Sequence, residues 1–258
     1  MKLTNRTILI TGGTSGLGLG MAKTFAARGN KVIVAGRNEK RLNEILAENP
    51  EFSGYTADVA DLNSLENLKT QIEKDFPNLD VLVNSAGIMR HYNLFDENVT
   101  PSNLTDEIQT NLIGTITATK LFIPILEKNA GTVINISSGL ANMSDGAHPV
   151  YDATKTAVRF FTESLRGQAE YFGKNLEVIE VVPPLVGETN LEDTISADAP
   201  NSLSMTDFLA ETFAGFEAGL DRIDIGHAKN YWKLANENRD EFTKQTTENL
   251  MKVYFPKN

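Results

Sequence analysis

Thr7-Ile-Leu-Ile-Thr11-Gly-Gly-Thr-Ser-Gly-Leu-Gly18 decides the architecture. Thr7-Ile-Leu-Ile10 is a short apolar run that reads as a buried strand. From about Leu17 to Arg28 the pattern is helical, and Gly29-Asn30 stops it. Lys31-Val-Ile-Val-Ala35 is a second strand. The glycines therefore lie between a strand and a helix, inside a βαβ unit. A phosphate site belongs there, because a helix N-terminus offers free backbone N–H groups and a positive dipole end. The spacing is Gly12-x-x-x-Gly16-x-Gly18 rather than Gly-x-Gly-x-x-Gly. The physical demands are the same: a tight turn, backbone close to the phosphates, and close helix–strand packing.

Working outward, Gly36-Arg37-Asn38 follows the second strand. An NAD-selective site of this kind carries Asp or Glu there for the ribose hydroxyls. No acid stands at positions 35–38. Arg37 can pair with a ribose 2′-phosphate, which favours NADP(H) over NAD(H). A helix over 39–48 and a third strand over 52–57 lead to Asp58-Val59. The Asp58 carboxylate would either face an adenine crevice or cap the next helix, at about 63–76. A fourth strand, 79–83, runs into Asn84-Ser-Ala-Gly87, whose small residues let a ligand approach the backbone. After a loop over 89–103, a long helical pattern spans 104–127. Asn111 inside it is a poor helix former, and such local conflicts often mark functional positions.

A fifth strand, 131–136, ends at Ser137-Ser138, and a sixth, 175–182, at Pro183-Pro184. The polar stretch 185–204 is over-long for a connection, so a substrate lid is expected over about 185–219, including a helix at 205–219. A short strand at 222–226 and helical stretches over 228–253, carrying Trp232, complete the chain. Alternating strands and helices predict an α/β fold, a parallel sheet with helices on both faces. Nothing in the sequence splits 1–258, which reads as a single domain.

Tyr151-Asp-Ala-Thr-Lys155 opens a helical pattern running to about Phe172. Positions i and i+4 share a face, so the phenol and the ammonium are neighbours. A nearby cation lowers a phenol from its ordinary pKa of about 10; reaching about 7 takes roughly 4 kcal/mol. Such a tyrosine can pass a proton to or from a carbonyl or carbinol oxygen. Alone, the pair also fits an ordinary amphipathic helix.

Bulk features narrow the classes. With 258 residues, the chain can bury a large core. There is no cysteine, which excludes disulfides, thiolate metal sites and cysteine nucleophiles. Lys plus Arg is 24 against 34 Asp plus Glu, a formal charge of -10. That balance argues against duplex nucleic acid and anionic membrane surfaces as partners. No apolar run reaches the ~20 residues of a membrane span, and no signal-peptide core is visible, so a cytoplasmic protein is expected. His91, His148 and His227 form no ligand-spaced set, so no metal is expected. His148, three residues before Tyr151, either lines the site or, the preferred reading, is a rim residue with no catalytic part. Arg90 either meets an anionic substrate group or, preferred, is a solvated loop residue.

Together these motifs closely resemble the short-chain dehydrogenase/reductase family. The matching stretches are Thr11-Gly-Gly-Thr-Ser-Gly-Leu-Gly18, Asp58-Val59, Asn84-Ser-Ala-Gly87, Asn111, Ile136-Ser-Ser138 and Tyr151-x-x-x-Lys155, in the family's order. The resemblance implies a single-domain Rossmann fold, a doubly wound parallel sheet of about seven strands, and hydride transfer between a nicotinamide cofactor and carbon. It makes Tyr151 the general acid/base, Lys155 its support and a ribose ligand, Ser138 the donor to the substrate oxygen, and Asn111 the holder of a relay water. It assigns Gly12, Thr14, Ser15, Gly16, Leu17, Gly18, Arg37, Asp58, Val59, Asn84, Ala86 and Gly87 to the dinucleotide, with Tyr151, Lys155, Pro183 and Val186.

Two departures stand out. Ser85 replaces a common Asn; and after Pro183, Pro184 replaces a Gly and Thr189 appears one residue late. The resemblance also implies a homodimer or homotetramer packed through helices 104–127 and 151–172. More loosely, the chain is similar to a bacterial subgroup found near D-alanyl-lipoteichoic acid genes. The expected activity is NADP(H)-dependent oxidoreduction of a small carbonyl or secondary alcohol. An NAD(H) enzyme, a dinucleotide sensor without turnover, or a racemase, epimerase or dehydratase on the same fold are the alternatives.

Overall fold

The computed structural model describes residues 1–187, 189, 191 and 202–256. Seven parallel strands pair in the order β3-β2-β1-β4-β5-β6-β7. They are β1 (Thr7–Thr11), β2 (Lys31–Gly36), β3 (Ser53–Thr56), β4 (Val81–Asn84), β5 (Gly131–Ile136), β6 (Leu176–Val182) and β7 (Arg222–Asp224). The helices between them are α1 (Gly16–Ala27), α2 (Glu39–Glu48), α3 (Leu62–Asp75), α4 (Pro101–Ile108), α5 (Gly114–Lys128), α6 (Pro149–Tyr171) and α7 (Met205–Glu217), and α8 (Ala228–Glu237) and α9 (Arg239–Tyr254) follow β7.

The Val/Ile/Leu-rich strands are buried on both faces, as a parallel sheet demands. Ile8 and Ile10 of β1 join one apolar layer with Phe25 of α1 and Phe208, Phe213 and Phe216 of α7. Leu9 joins the other, with Leu65, Leu68 and Ile72 of α3 and Phe122 of α5. That period of two is the pleat itself. Strand order reverses between β1 and β4, so their carboxyl ends part and leave a crevice, the place such sheets bind ligands.

Two expectations change. The long helix expected over 104–127 is three pieces: α4, capped by a Thr100/Asn103 box, a π-helical turn at Gln109–Ile113, and α5. The wide turn falls on Asn111, where the sequence conflict lay, and π-bulges frequently mark functional sites. Second, α7 is not part of a lid. Its apolar stripe is core, with the Phe25 and Phe213 rings 4.7 Å apart. The excursion before it is pinned at its two ends, where Gly187 N donates to Leu203 O at 3.1 Å and Leu203 N to Leu185 O at 2.9 Å. Within the expected lid, positions 188, 190 and 192–201 lie outside the described residues.

Candidate active site

The strand-to-helix turn is shaped by its glycines. Gly12 has φ +67°, and a Cβ there would stand 2.7 Å from the Ala86 Cα. A Cβ on Gly18 would collide with the Gly12 carbonyl. Ser15 is extended at the N-cap of α1 but makes no side-chain cap, and the first turn carries no acid. The N–H groups of that turn thus face a clear, positively polarised space, which fits the phosphates of a dinucleotide.

A cavity of about 420 Å³ runs from this turn across the sheet's carboxyl edge. Gly12, Ser15, Gly16, Leu17, Gly18, Ala86, Gly87, Ser138, Tyr151, Lys155, Pro183 and Val186 line it together. Thr189 lines it too: its hydroxyl donates to Val186 O at 2.9 Å, and its side chain faces Gly16. Other predicted residues lie outside the cavity. Thr14 packs under Gly36, and Val59 packs against Gly114. Arg37 is exposed at the carboxyl end of β2. Asp58 accepts from Ala60 N at 2.9 Å, closing a turn beyond β3. Asn84 turns into the core, donating to Thr119 Oγ1 at 2.9 Å and Asn135 Oδ1 at 2.8 Å.

Tyr151 and Lys155 sit in the first turns of α6, whose N-terminus carries Pro149. Both are buried. The Ser138 hydroxyl hydrogen-bonds the phenol oxygen, and Ser138 Oγ accepts from Leu140 N at 3.1 Å. Lys155 Nζ donates to Ile136 O at 2.9 Å and stands 5.6 Å from the Tyr151 ring centroid. The expectation that the cation dominates the phenol's acidity is corrected. Burial pushes the Tyr151 pKa above its ordinary value; the Ser138 bond opposes this, and the charges of Asp152, Glu107 and Asp145 add to it. Burial likewise brings Lys155 down to about 8, against the pull of Glu107. The pair is a neutral phenol and an easily deprotonated ammonium, suited to giving protons.

Asn111 acts as a clamp. Its Oδ1 accepts from Ile88 N at 2.8 Å, and its Nδ2 donates to Ile88 O at 2.8 Å and Thr154 Oγ1 at 3.2 Å. Its carbonyl accepts from Thr115 Oγ1. The side chain expected to hold a relay water thus ties the loop after β4 to α6.

His148 is not a rim residue. It is buried in the cavity wall, with Nδ1 2.8 Å from Asp145 Oδ2. Asp145 also accepts from the N–H groups of Ala147 and His148. Asp152, beside it, is raised to about 8, first by burial and then by the Asp145 charge. Arg90 bonds Asn103 O and lies 3.7 Å from the Asp106 carboxylate, away from the cavity. Sequence reasoning missed Tyr231, Thr246, Asn249, Leu250 and Tyr254, which bring α8 and α9 over the cavity, and the buried carboxyl of Glu107. For Glu107 a signal existed, its place one turn before Asn111. For α8 and α9 there was none, since their contacts to the cavity are all distant in sequence.

The comparisons with known proteins agree with this geometry. The short chain dehydrogenase family model matches residues 6–200. An uncharacterized oxidoreductase of Bacillus subtilis (strain 168), DltE, is 40% identical over 187 residues, 72% of this chain and 73% of that protein. The crystal structure of a short chain dehydrogenase from Burkholderia cenocepacia J2315 in complex with NADP gives a TM-score of 0.82 at 22% identity, over 95% of this chain and 99% of that one. One from Burkholderia phymatum in complex with NAD gives 0.79 at 19%, over 94% and 97%. At those identities the two structures speak for the fold alone. With the family match over most of the chain and a phenol–serine–lysine group facing a dinucleotide-shaped turn, the chain belongs to the short-chain dehydrogenase/reductase family and is an NAD(P)-dependent oxidoreductase of the DltE-like kind.

Proposed function

We propose that the protein moves a hydride between NADP(H) and a neutral, largely apolar carbonyl compound or secondary alcohol. One observation carries the reading: Tyr151, Ser138 and Lys155 share one wall of the cavity that begins at the glycine turn. When bound, the nicotinamide supplies or accepts the hydride. Ser138 and Tyr151 then orient and polarise the substrate oxygen, and the phenol O–H gives up its proton as charge develops there. Lys155 holds the proton that replaces it.

Arg37 and the lack of acids at positions 35–38 support NADP(H). Arg37 is exposed just beyond the strand carrying Gly36 and does not line the cavity. Titration should give tighter binding of NADPH than of NADH. Arg37→Ala should weaken NADPH roughly tenfold, the value of one charge-assisted hydrogen bond, and leave NADH unchanged. Tighter binding of NADH by the wild type would refute the preference.

The substrate side of the cavity carries Met89, Leu140, Met143, Leu250 and Tyr254. Among the described residues, Lys155 is the one Lys or Arg that lines it, and the sequence from Leu185 to Ser204 contains neither. A substrate carboxylate or phosphate would find no paired cation there, and burying an unpaired charge is costly. Uncharged aromatic and aliphatic ketones and aldehydes should therefore show higher kcat/KM than 3-oxo acids of the same size. The reverse order would contradict the neutral-substrate reading. A homodimer or homotetramer is the proposed assembly, supported by exposed Ile113 and Phe160 beside α5 and on α6; a monomer in light scattering would refute it.

A further inference from the structure

Glu107 is fully buried at the end of α4 and does not line the cavity. Its Oε1 accepts from Arg90 N at 3.3 Å, and its Oε2 is buried with no hydrogen-bond partner. Such a group is costly, and a function is the usual reason for keeping one. It stands one turn before Asn111, and this helix face holds the loop after β4 at two points. Asn111 grips Ile88, and Glu107 grips Arg90. The same loop starts at Gly87, whose Cβ position is 3.4 Å from Asn111 Oδ1 and 3.6 Å from Lys155 Nζ. Glu107 and Lys155 thus flank one short loop, and each feels the other's charge.

We propose that Glu107 is the proton store that reloads Lys155 and, through it, Tyr151, an inference that rests on the reductase reading above. As the carbonyl carbon receives its hydride, the Tyr151 O–H bond breaks and the proton goes to the carbonyl oxygen. The phenolate takes a proton from the Lys155 ammonium. The resulting amine takes one from the Glu107 carboxyl through bridging water. The carboxylate recovers its proton from solvent on the side of half-buried Arg90 and exposed Asp106. Alcohol oxidation runs the same transfers backwards. Because Glu107 does not line the cavity, bound ligands do not cover it, and its exchange with solvent runs along the Arg90 side.

The electrostatics suit the role. Burial raises Glu107 to about 7, opposed by the Arg90 N–H and by the charges of Arg90, His148 and Lys155. Burial lowers Lys155 to about 8. Two groups that ordinarily differ by about six units therefore exchange a proton with little bias near neutral pH. The groups whose charges act on Glu107 are Arg90 on the loop, His148 just before α6 and Lys155 on α6. Tyr151, Asp145 and Asp152 form the next layer of charge, and Asp106 on α4 is solvent-exposed.

Glu107→Gln tests this, because the amide oxygen can still accept from Arg90 N. For carbonyl reduction, kcat should fall by about tenfold or more, below the full contribution of a direct acid catalyst. The solvent deuterium isotope effect should rise. The wild-type rate should decline as pH passes about 7 and Glu107 ionises, and the variant should lose that limb. NADPH affinity and melting temperature should stay at wild-type values. Glu107→Asp should restore part of both the rate and the limb.

A Gln variant with the wild-type rate and pH profile would overturn the proposal. So would Asp and Gln variants that behave alike, since a merely structural role predicts that. If the Gln chain does not fold, infrared difference spectra of the wild-type NADPH complex decide. A buried carboxyl band titrating near neutral pH and displaced in Glu107→Asp supports the store, and no such band overturns it. Wild-type protein that turns over no carbonyl compound would instead sink the reductase reading, while the carboxyl titration would still report on Glu107.

Discussion

Tyr151→Phe is expected to lower kcat for carbonyl reduction by roughly 10²- to 10⁴-fold while NADPH affinity stays unchanged. The change removes one oxygen atom. It leaves the ring in its packing and leaves the glycine turn intact. What disappears is the hydroxyl proposed as the proton donor, the one that Ser138 hydrogen-bonds. Burial raises the phenol's pKa, so the group is protonated throughout the physiological range and always ready to donate in reduction. Oxidation needs the phenolate instead, so its rate should climb as pH rises toward the alkaline side. A Phe variant with wild-type turnover would remove the phenol from the chemistry. One that lost NADPH binding in parallel would recast Tyr151 as a cofactor ligand first.

Gly12→Ala is expected to damage both stability and cofactor binding. Alanine in the left-handed region costs about 1–2 kcal/mol. Here the added methyl also meets backbone, 2.7 Å from Ala86 Cα and 2.8 Å from Ala86 N, neither of which can swing aside. Overpacking of this kind adds about 1–3 kcal/mol. We expect a total loss of roughly 2–5 kcal/mol in chemical denaturation, with NADPH binding weakened because β1 and β4 must separate at the crevice. Gly29→Ala is the internal control. Gly29 has φ +78° with nothing within 4 Å of its Cβ position, so it should show only the conformational part. Equal losses at the two sites would mean that the approach of the turn to Ala86 carries no weight.

Local patterns were legible in the sequence, and distant contacts were not. The β1 run, the glycine spacing and the i, i+4 pair Tyr151–Lys155 each describe geometry within a few residues. Asn111 could be flagged as a conflict, but the π turn that resolves it depends on Ile88 and Thr154, which come from other elements. Helix α7 was drawn into the lid because the polar stretch before it suggested a surface element. The spacing of Phe208, Thr212, Phe213 and Phe216, a stripe on one face, was the overlooked sign of a core helix. The phenol's acidity was misjudged because a sequence shows the neighbouring cation and hides the burial that outweighs it. Asp145 and His148 could be seen as neighbours in the chain. Their burial, and the closure of the cavity by α8 and α9, exist only in the folded protein.

The most direct test is isotope transfer. Wild-type protein would be incubated with NADPH deuterated at the hydride position and an uncharged aromatic ketone, and the alcohol product examined by mass spectrometry and NMR. One deuterium is expected on the carbinol carbon, with that product lost in Tyr151→Phe. Tight NADPH binding with no deuterium delivered to any carbonyl acceptor would contradict it.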